Sequence, residues 1–129
     1  MVLKNITESD LTYLINNVDL KFKSTHTRLS LPVINRIYKK MKANLKFPPI
    51  KIQHDFICDG HHRYLASLLA GYNLEITLWE TARATTTIDW KTVSFDENDW
   101  DTYEEICQIN LQDAAYNSIP LERILALLQ

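Results

Sequence analysis

Apolar residues recur at helical spacing in five stretches of the chain, and the first of these lies near its start. Thr7, which precedes a glutamate, a serine and an aspartate, is a typical helix N-cap. The helix that it opens carries Leu11, Leu14 and Ile15 on one face and ends at the two asparagines that follow. The sequence therefore predicts a short amphipathic helix here.

The second predicted helix carries most of the positive charge. Ser30 is its predicted cap, and Pro32 lies in its first turn, where a proline costs no hydrogen bond. Its apolar face consists of Ile34, Ile37, Tyr38, Met41 and Leu45. Its opposite, polar face, which we expect in solvent, consists of Arg36, Lys39, Lys40 and Lys42.

Three further helices are predicted from their terminal residues. A helix over 61–70 ends at Gly71, where a helix C-terminus favours a left-handed residue. Thr102 with Glu105 forms a capping-box pattern that opens a fourth helix. Residues 118–128 follow helical spacing again and predict the last one.

Alternating apolar residues between turn residues predict the strands. The alternation is weak over 20–27 and clearer over 74–79. Between them, two prolines force extended backbone before short strands at 50–53 and 56–58, joined by a turn. The fold class is therefore α/β (α+β), a small mixed sheet with flanking helices. A polar, threonine-rich connector over 81–87 leads into the C-terminal part of the chain, and residues 81–129 form an acidic, mostly helical extension.

Length and composition indicate a single globular domain over residues 1–129. The chain has 129 residues, of which 46% are hydrophobic and 23% charged. Its longest apolar stretch, 65–70, is far shorter than the roughly 20 residues that a membrane helix requires. The first ten residues contain no apolar core of signal-peptide length, and two cysteines match a reducing compartment. We therefore expect a cytoplasmic protein without a membrane partner.

Opposite charges are separated along the chain. Residues 1–63 contain 11 Lys or Arg and 5 Asp or Glu, a balance of +6, whereas residues 64–129 contain 3 and 11, a balance of −8. A basic half suits an anionic ligand, although solvation of helix faces explains the same pattern equally well.

The residues best suited to bind a ligand or catalyse a reaction lie in the segment 57–71, where an apolar strand passes through Asp59-Gly60 into a helix. The chain has two glycines, and both lie in this segment. Gly60 allows a sharp turn and a close ligand approach, and the first N–H groups of a helix lack intrahelical partners. Arg63 adds a planar charged fork that suits phosphate, and His62 adds a donor whose charge changes near neutral pH. These features predict an anion site, with Asp59 as helix cap, metal ligand or partner of a histidine.

The same residues include possible metal ligands. Adjacent histidines on a helix point about 100° apart, so His61 and His62 do not easily chelate one ion. Zinc also lacks its usual ligand spacing here. Magnesium bridged between phosphates and Asp59 or Asp55 is the better interpretation.

The segment resembles the ParB and sulfiredoxin superfamily, in which a strand leads through a Gly-x-His-Arg type turn into a helix with an Ala-x-x-x-x-Gly pattern. The matching residues are Gly60, His61, His62, Arg63, Ala66 and Gly71. The resemblance covers residues 20–80 and implies a nucleotide-binding core whose turn binds phosphates. It implies nucleotide contacts from the turn and its neighbour Tyr64, and from His26 and Arg28 after the first strand.

Some residues differ from the pattern of that family, and these differences argue against two of its known functions. Sulfiredoxin-like enzymes carry a nucleophilic cysteine where this chain has His61, so sulfinic acid reduction is not expected. Chromosome-partitioning ParB proteins carry an acid and two arginines after the glycine and a long helix-turn-helix region, and neither occurs here. The Gly-His-His-Arg form is closer to relatives that resemble ATP-dependent small-molecule kinases.

The leading hypothesis is a domain that binds ATP or CTP with magnesium, and that hydrolyses it or transfers its phosphate. In this hypothesis Arg63 and the backbone amides stabilise the phosphoryl charge, His62 donates to phosphate, His61 is a base or acid, and Asp59 orients it or holds magnesium. Two alternatives stay open. One is a ParB-like nucleic-acid binder or nuclease that uses the basic N-terminal half. The other is a non-catalytic, immunity-like protein that covers a basic partner with its acidic residues 96–105.

Overall fold

A computed structural model, which describes residues 3–80 and 86–129, confirms the mixed α/β class. The structure contains the predicted hairpin over 50–58, the predicted helix over 61–70 and the two predicted C-terminal helices, in that order. Their bounds are α1 (Glu8–Asn17), β1 (Arg28–Ser30), α2 (Leu31–Lys42), β2 (Ile50–Gln53), β3 (Phe56–Asp59), α3 (His61–Ala70), β4 (Ile76–Leu78), β5 (Ser94–Asp96), α4 (Tyr103–Asn117) and α5 (Leu121–Leu127), with a 3₁₀ turn at Trp90–Thr92.

The strands form two small sheets. In the three-stranded sheet, of order β3-β2-β4, β2 pairs antiparallel with β3 and parallel with β4. The turn between β2 and β3 contains His54 with a positive φ of 53°. The second sheet consists of β1 and β5, which run parallel. Neither β1 nor β5 was expected from the alternation of apolar residues, because each has only three residues.

The core lies where α2 and α3 pack together against the three-stranded sheet and α1. Its fully buried side chains include Leu11, Ile34, Ile52, Ile57 and Leu65. A second, much smaller cluster of Leu45, Ala114 and Ile124 attaches α4 and α5 to the C-terminal end of α2. The start of the C-terminal extension joins the main core through Trp90 and Val93, whereas no residue of α4 or α5 belongs to that core cluster.

The helix starts differ in how their free N–H groups are satisfied. Thr7 before α1 is the predicted N-cap, and Thr102 before α4 forms the predicted capping box with Glu105. The structure adds a second capping box at α1, between Thr7 and Asp10. The Ser30 side chain does not cap α2, because its hydroxyl donates to the Asn98 carbonyl at 2.9 Å. Gly60 before α3 has no side chain to cap with. No side chain therefore caps the first backbone N–H groups of helix α3.

The predicted strand over 20–27 is wrong. This segment makes only isolated bridges at Lys23 and Ser24, and the strand β1 begins after it. The reason lies in contacts that are distant in sequence: the Thr25 N–H donates to a ring nitrogen of His61, and the Thr25 hydroxyl donates to the Ile57 carbonyl. Side chains and backbone of α3 and β3 thus take the hydrogen bonds that a strand would need.

The expected solvent-exposed basic face of α2 is also wrong. Lys40 is 2% exposed, and its ammonium donates to Asp113 at 2.6 Å and to Asn110 at 2.8 Å. Arg36 bonds Asp99 and Asp101. Lys39 is 7% exposed, which leaves Lys42 as the exposed cation of that face. The helical periodicity of α2 could not show this, because the partners come from elsewhere: the loop before α4 supplies two aspartates, and α4 supplies Asn110 and Asp113.

The structure describes only part of what two further predictions concern, the connector over 81–87 and the lack of a membrane helix. Residues 81–85 of the predicted connector lie outside the described residues. In the part of the chain that is described, no helix combines the length and the apolar character needed to cross a bilayer.

Candidate functional site

Gly60 makes the sharp turn between β3 and α3. Its φ of +108° lies in the left-handed region, where side chains are rarely tolerated. A Cβ at this position would also lie 2.8 Å from the Cβ of Ile50 and would collide with its methyl group. The predicted turn is confirmed, but the space beside Gly60 is filled by Ile50 and is not open for a ligand.

A cavity of about 220 Å³ opens beside this turn, and we call it the turn cavity. Of the predicted site residues, it brings together the turn itself and His26 from the segment before β1. Its lining consists of His26, Leu29, Val33, Ile37, Cys58, Asp59, Gly60, His61, His62, Arg63 and Trp100.

The start of α3 offers backbone donors to the turn cavity. The first hydrogen bond of the helix runs from the Tyr64 N–H to the Gly60 carbonyl at 2.8 Å. The N–H groups of His61, His62 and Arg63 precede it and have no acceptor among the described residues. Because helix dipoles make this end positive, these three donors favour an anion.

His61 is a buried, neutral donor. The residue is 3% exposed, its Nε2 accepts a hydrogen bond from the Thr25 N–H at 3.0 Å, and its ring lies edge-on to that of His26. Burial, and then the nearby His26 and His62, lower the pKa of His61 to about 3. The bond at Nε2 assigns the ring proton to Nδ1, which has no partner among the described residues.

His62 follows the same pattern one position later. Its Nε2 accepts a hydrogen bond from the Ser30 N–H at 3.0 Å, and its ring packs edge-on against Trp100. Burial, followed by the proximity of His26 and Arg36, lowers the pKa of His62 to about 4. The expectation that His62 becomes charged near neutral pH is therefore wrong, because the ring gives up its solvation and bonds a backbone donor.

The Arg63 side chain is held in place by backbone carbonyls. Its Nη1 donates to the Pro48 carbonyl at 2.8 Å and the Pro49 carbonyl at 3.3 Å, and its Nη2 lies 3.4 Å from the Asp59 carboxylate. Carbonyls do not neutralise the positive charge, the ion pair with Asp59 is long and its carboxylate is largely exposed, and a guanidinium has five N–H donors. Arg63 is thus a fixed cation with donors to spare at the cavity wall.

Asp59 lies at the rim of the turn cavity, where its side chain is 61% exposed. It does not cap α3. It is the one carboxylate among the described residues that line this cavity, and those residues contain no group of three or more ligands able to hold a metal. One carboxylate fits magnesium only if ligand phosphates supply further oxygens, and Asp59 is the residue that would hold it.

Two predicted site residues lie elsewhere. Arg28 projects from β1 and pairs with Asp96 at 2.9 Å. Tyr64 is 6% exposed, and its hydroxyl accepts a hydrogen bond from the Phe22 N–H. Neither residue lines the turn cavity, because Arg28 faces β5 and Tyr64 faces the core.

Residues that sequence reasoning did not place in the site complete its walls. Trp100, from the loop before α4, closes one side, and Cys58, from β3, lines another. Burial raises the pKa of the Cys58 thiol, so this residue is a neutral wall group. The available signal for Cys58 was its place in the chain, directly before Asp59 and Gly60.

Comparisons with protein-family models, with curated proteins and with solved structures give no match for this chain. The resemblance to the ParB and sulfiredoxin superfamily therefore stays a prediction, which depends on the sequence pattern of residues 20–80.

Proposed function

We propose that the chain binds the phosphate groups of a nucleoside triphosphate in the turn cavity. One observation carries this proposal: His61, His62 and Arg63 all line one cavity, and their backbone N–H groups have no acceptor among the described residues. An uncapped helix start with a fixed guanidinium is complementary to a phosphate in both charge and hydrogen bonding.

The two histidines support the same ligand in their neutral form. Since Nε2 of each ring accepts a backbone hydrogen bond, Nδ1–H of each ring is the group left to donate. A phosphate has several acceptor oxygens and no obligatory donor near neutral pH. A site composed of donors therefore favours phosphate over a ligand that must itself donate.

Hydrolysis or transfer of the phosphate is the further step of this proposal. Arg63 and the amides of α3 would stabilise the charge on a transferring phosphoryl group, which is the main requirement of such catalysis. Magnesium, held by Asp59 and the phosphates, would neutralise further charge. His61, with a pKa of about 3, is a poor base at neutral pH and is proposed as a donor instead.

The two alternative functions have less support. Nucleic-acid binding depended on an exposed basic face of α2, but Arg36 and Lys40 pair with acidic residues of the C-terminal extension. Docking of a basic protein depended on the acidic residues, yet Asp96, Asp99 and Asp101 pair with arginines of this chain.

The proposal is tested with His62→Gln, which removes the Nδ1 donor and keeps an acceptor near the position of Nε2 for the Ser30 N–H. We expect the affinity for ATP or CTP, measured by calorimetry with magnesium, to fall about tenfold, since a hydrogen bond to a charged group is worth roughly 1.5–3 kcal/mol. His54→Asn, in the exposed turn between β2 and β3, is the matched control and should bind like the wild type.

Arg63→Ala tests the same site less cleanly, because Arg63 also holds the Pro48 and Pro49 carbonyls. We expect it to lower both nucleotide affinity and the unfolding midpoint. A wild-type protein that binds no nucleoside triphosphate, diphosphate or polyphosphate would refute the proposed function.

A further inference from the structure

A second, larger cavity lies between the core and the C-terminal extension, and we call it the interhelix cavity. Its volume is about 560 Å³, and its walls come from α2, from the Pro48-Pro49 segment and from α4. The apolar part of its lining consists of Val33, Ile37, Phe47, Pro48, Pro49 and Ile109. Part of this wall belongs to residues 81–129, outside the segment that carries the resemblance.

The two cavities share a wall. Val33, Ile37, Asp59 and Arg63 line both of them. The contact between Arg63 and Asp59 is long, at 3.4 Å, and Asp59 is largely exposed. The two cavities thus adjoin at Arg63 and Asp59, which is where a molecule bound in one would have to pass into the other.

The sizes of the cavities suit different parts of one ligand. Cavities that hold drug-sized ligands have volumes of about 300–1,000 Å³ and mostly apolar walls. The interhelix cavity falls within that range, whereas the turn cavity, at about 220 Å³, suits a compact group.

The polar residues of the interhelix cavity favour an uncharged occupant. Arg36 and Lys40 on its wall already pair with Asp101 and Asp113 on the same wall. Lys51 lies over the Trp79 ring, 4.1 Å from its centre. Gln112 is an uncharged hydrogen-bonding side chain of this lining and can bond the edge of a heterocyclic ring.

We propose that the two cavities form one cleft, in which the interhelix cavity takes the uncharged ring system of a nucleotide whose phosphates occupy the turn cavity. This inference rests on the proposed function and adds the place where the base binds. Helix α4 supplies one wall of this base site. Polyphosphates without a ring system leave the interhelix cavity empty and bind more weakly.

The first test compares ligands on the wild-type protein by calorimetry, with ATP, CTP and GTP against inorganic tripolyphosphate at equal magnesium. We expect at least one nucleotide to bind about tenfold or more tightly than tripolyphosphate. If tripolyphosphate binds as tightly as every nucleotide, the base site is wrong and the phosphate site stands. If neither class binds, both proposals are wrong.

The second test fills the interhelix cavity with Ile109→Trp and uses Leu111→Trp, on the exposed side of α4 at 49% exposure, as the matched control. We expect Ile109→Trp to lose about tenfold or more of the nucleotide affinity and to keep the tripolyphosphate affinity, and Leu111→Trp to keep both. An equal loss for both ligands, or none for the nucleotide, would overturn the base site. Unfolding midpoints of the same samples show whether each variant is folded.

Discussion

At the scale of single residues, the two glycines show how one conformation serves two purposes. Gly60 and Gly71 both have positive φ, of 108° and 65°. Gly71 ends α3 with nothing within 4 Å of its missing Cβ, whereas that of Gly60 would contact Ile50. Sequence alone predicted both turns, but only the packing around them shows that Gly60 makes room for a core side chain.

This difference predicts unequal costs for the same substitution. Gly71→Ala should lose about 1 kcal/mol of unfolding free energy, from the left-handed backbone alone. Gly60→Ala adds a steric collision with Ile50 and should lose about 2–4 kcal/mol. Urea unfolding of the two variants measures this, and equal losses would contradict the assigned packing.

The buried histidines predict a stability that falls in mild acid. The folded-state pKa values of His61 and His62, about 3 and about 4, lie below the unfolded value of 6.5. The unfolded chain therefore binds more protons below pH 6.5, so this stability is complete above 6.5 and is lost as the pH falls towards 4. The limiting slope is about 1.4 kcal/mol per pH unit for each histidine.

We expect the unfolding free energy to drop by about 2–4 kcal/mol between pH 7 and pH 5. His62→Gln removes one of the two titrating groups and should reduce that drop to about half. Urea titrations at pH 7, 6 and 5 measure both effects. Constant stability over this range would show that the rings are not buried as neutral groups.

At the scale of helices and strands, the reliable predictions were those with a local cause. The N-cap of α1, the capping box of α4 and the hairpin turn follow from short-range residue patterns, and all three are present. The strand predicted over 20–27 failed, because its hydrogen bonds go to His61 and Ile57, more than 30 residues away. No local pattern contains that information.

The same limit applies to α2, whose polar face is covered by α4. Lys40→Met removes the ammonium that pairs with Asp113 and Asn110, and should cost about 2–4 kcal/mol because it leaves a partly buried carboxylate unpaired. Lys42→Met, at the exposed position of the same helix, should change stability by less than about 0.5 kcal/mol. Chemical denaturation measures the unfolding free energy of both variants. Similar small losses for the two would show that Lys40 is not a buried, paired ammonium.

At the scale of the whole molecule, folding partly offsets the separation of charge along the chain. Arg28, Arg36 and Lys40 from the basic half pair with aspartates from the acidic half. The sequence shows the segregation but not its consequence, which is that these ion pairs help to attach the C-terminal extension to the core. Apolar contacts attach it as well, through Trp90 and Val93 in the main core and through a small cluster around Leu45.

The sequence alone predicts one part of the site, and the other part depends on how the extension packs against the core. Residues 59–63 are adjacent in the chain and could be predicted together as one turn. Trp100 and Ile109, which close the turn cavity and the interhelix cavity, come from the extension and reach the site only through its docking. Prediction of the whole cleft from sequence would have required the charge pairs between the halves.

The free amides at the start of α3 are the proposed phosphate site. Nuclear magnetic resonance of the ¹⁵N-labelled protein, titrated with ATP, CTP and tripolyphosphate in turn, observes those amides directly. We expect the signals of His61, His62 and Arg63 to shift saturably for at least one of these ligands, while those of the capped first turns of α1 and α4 stay in place. Shifts confined to other parts of the chain, or equal shifts at all helix starts, would show that phosphate does not bind there.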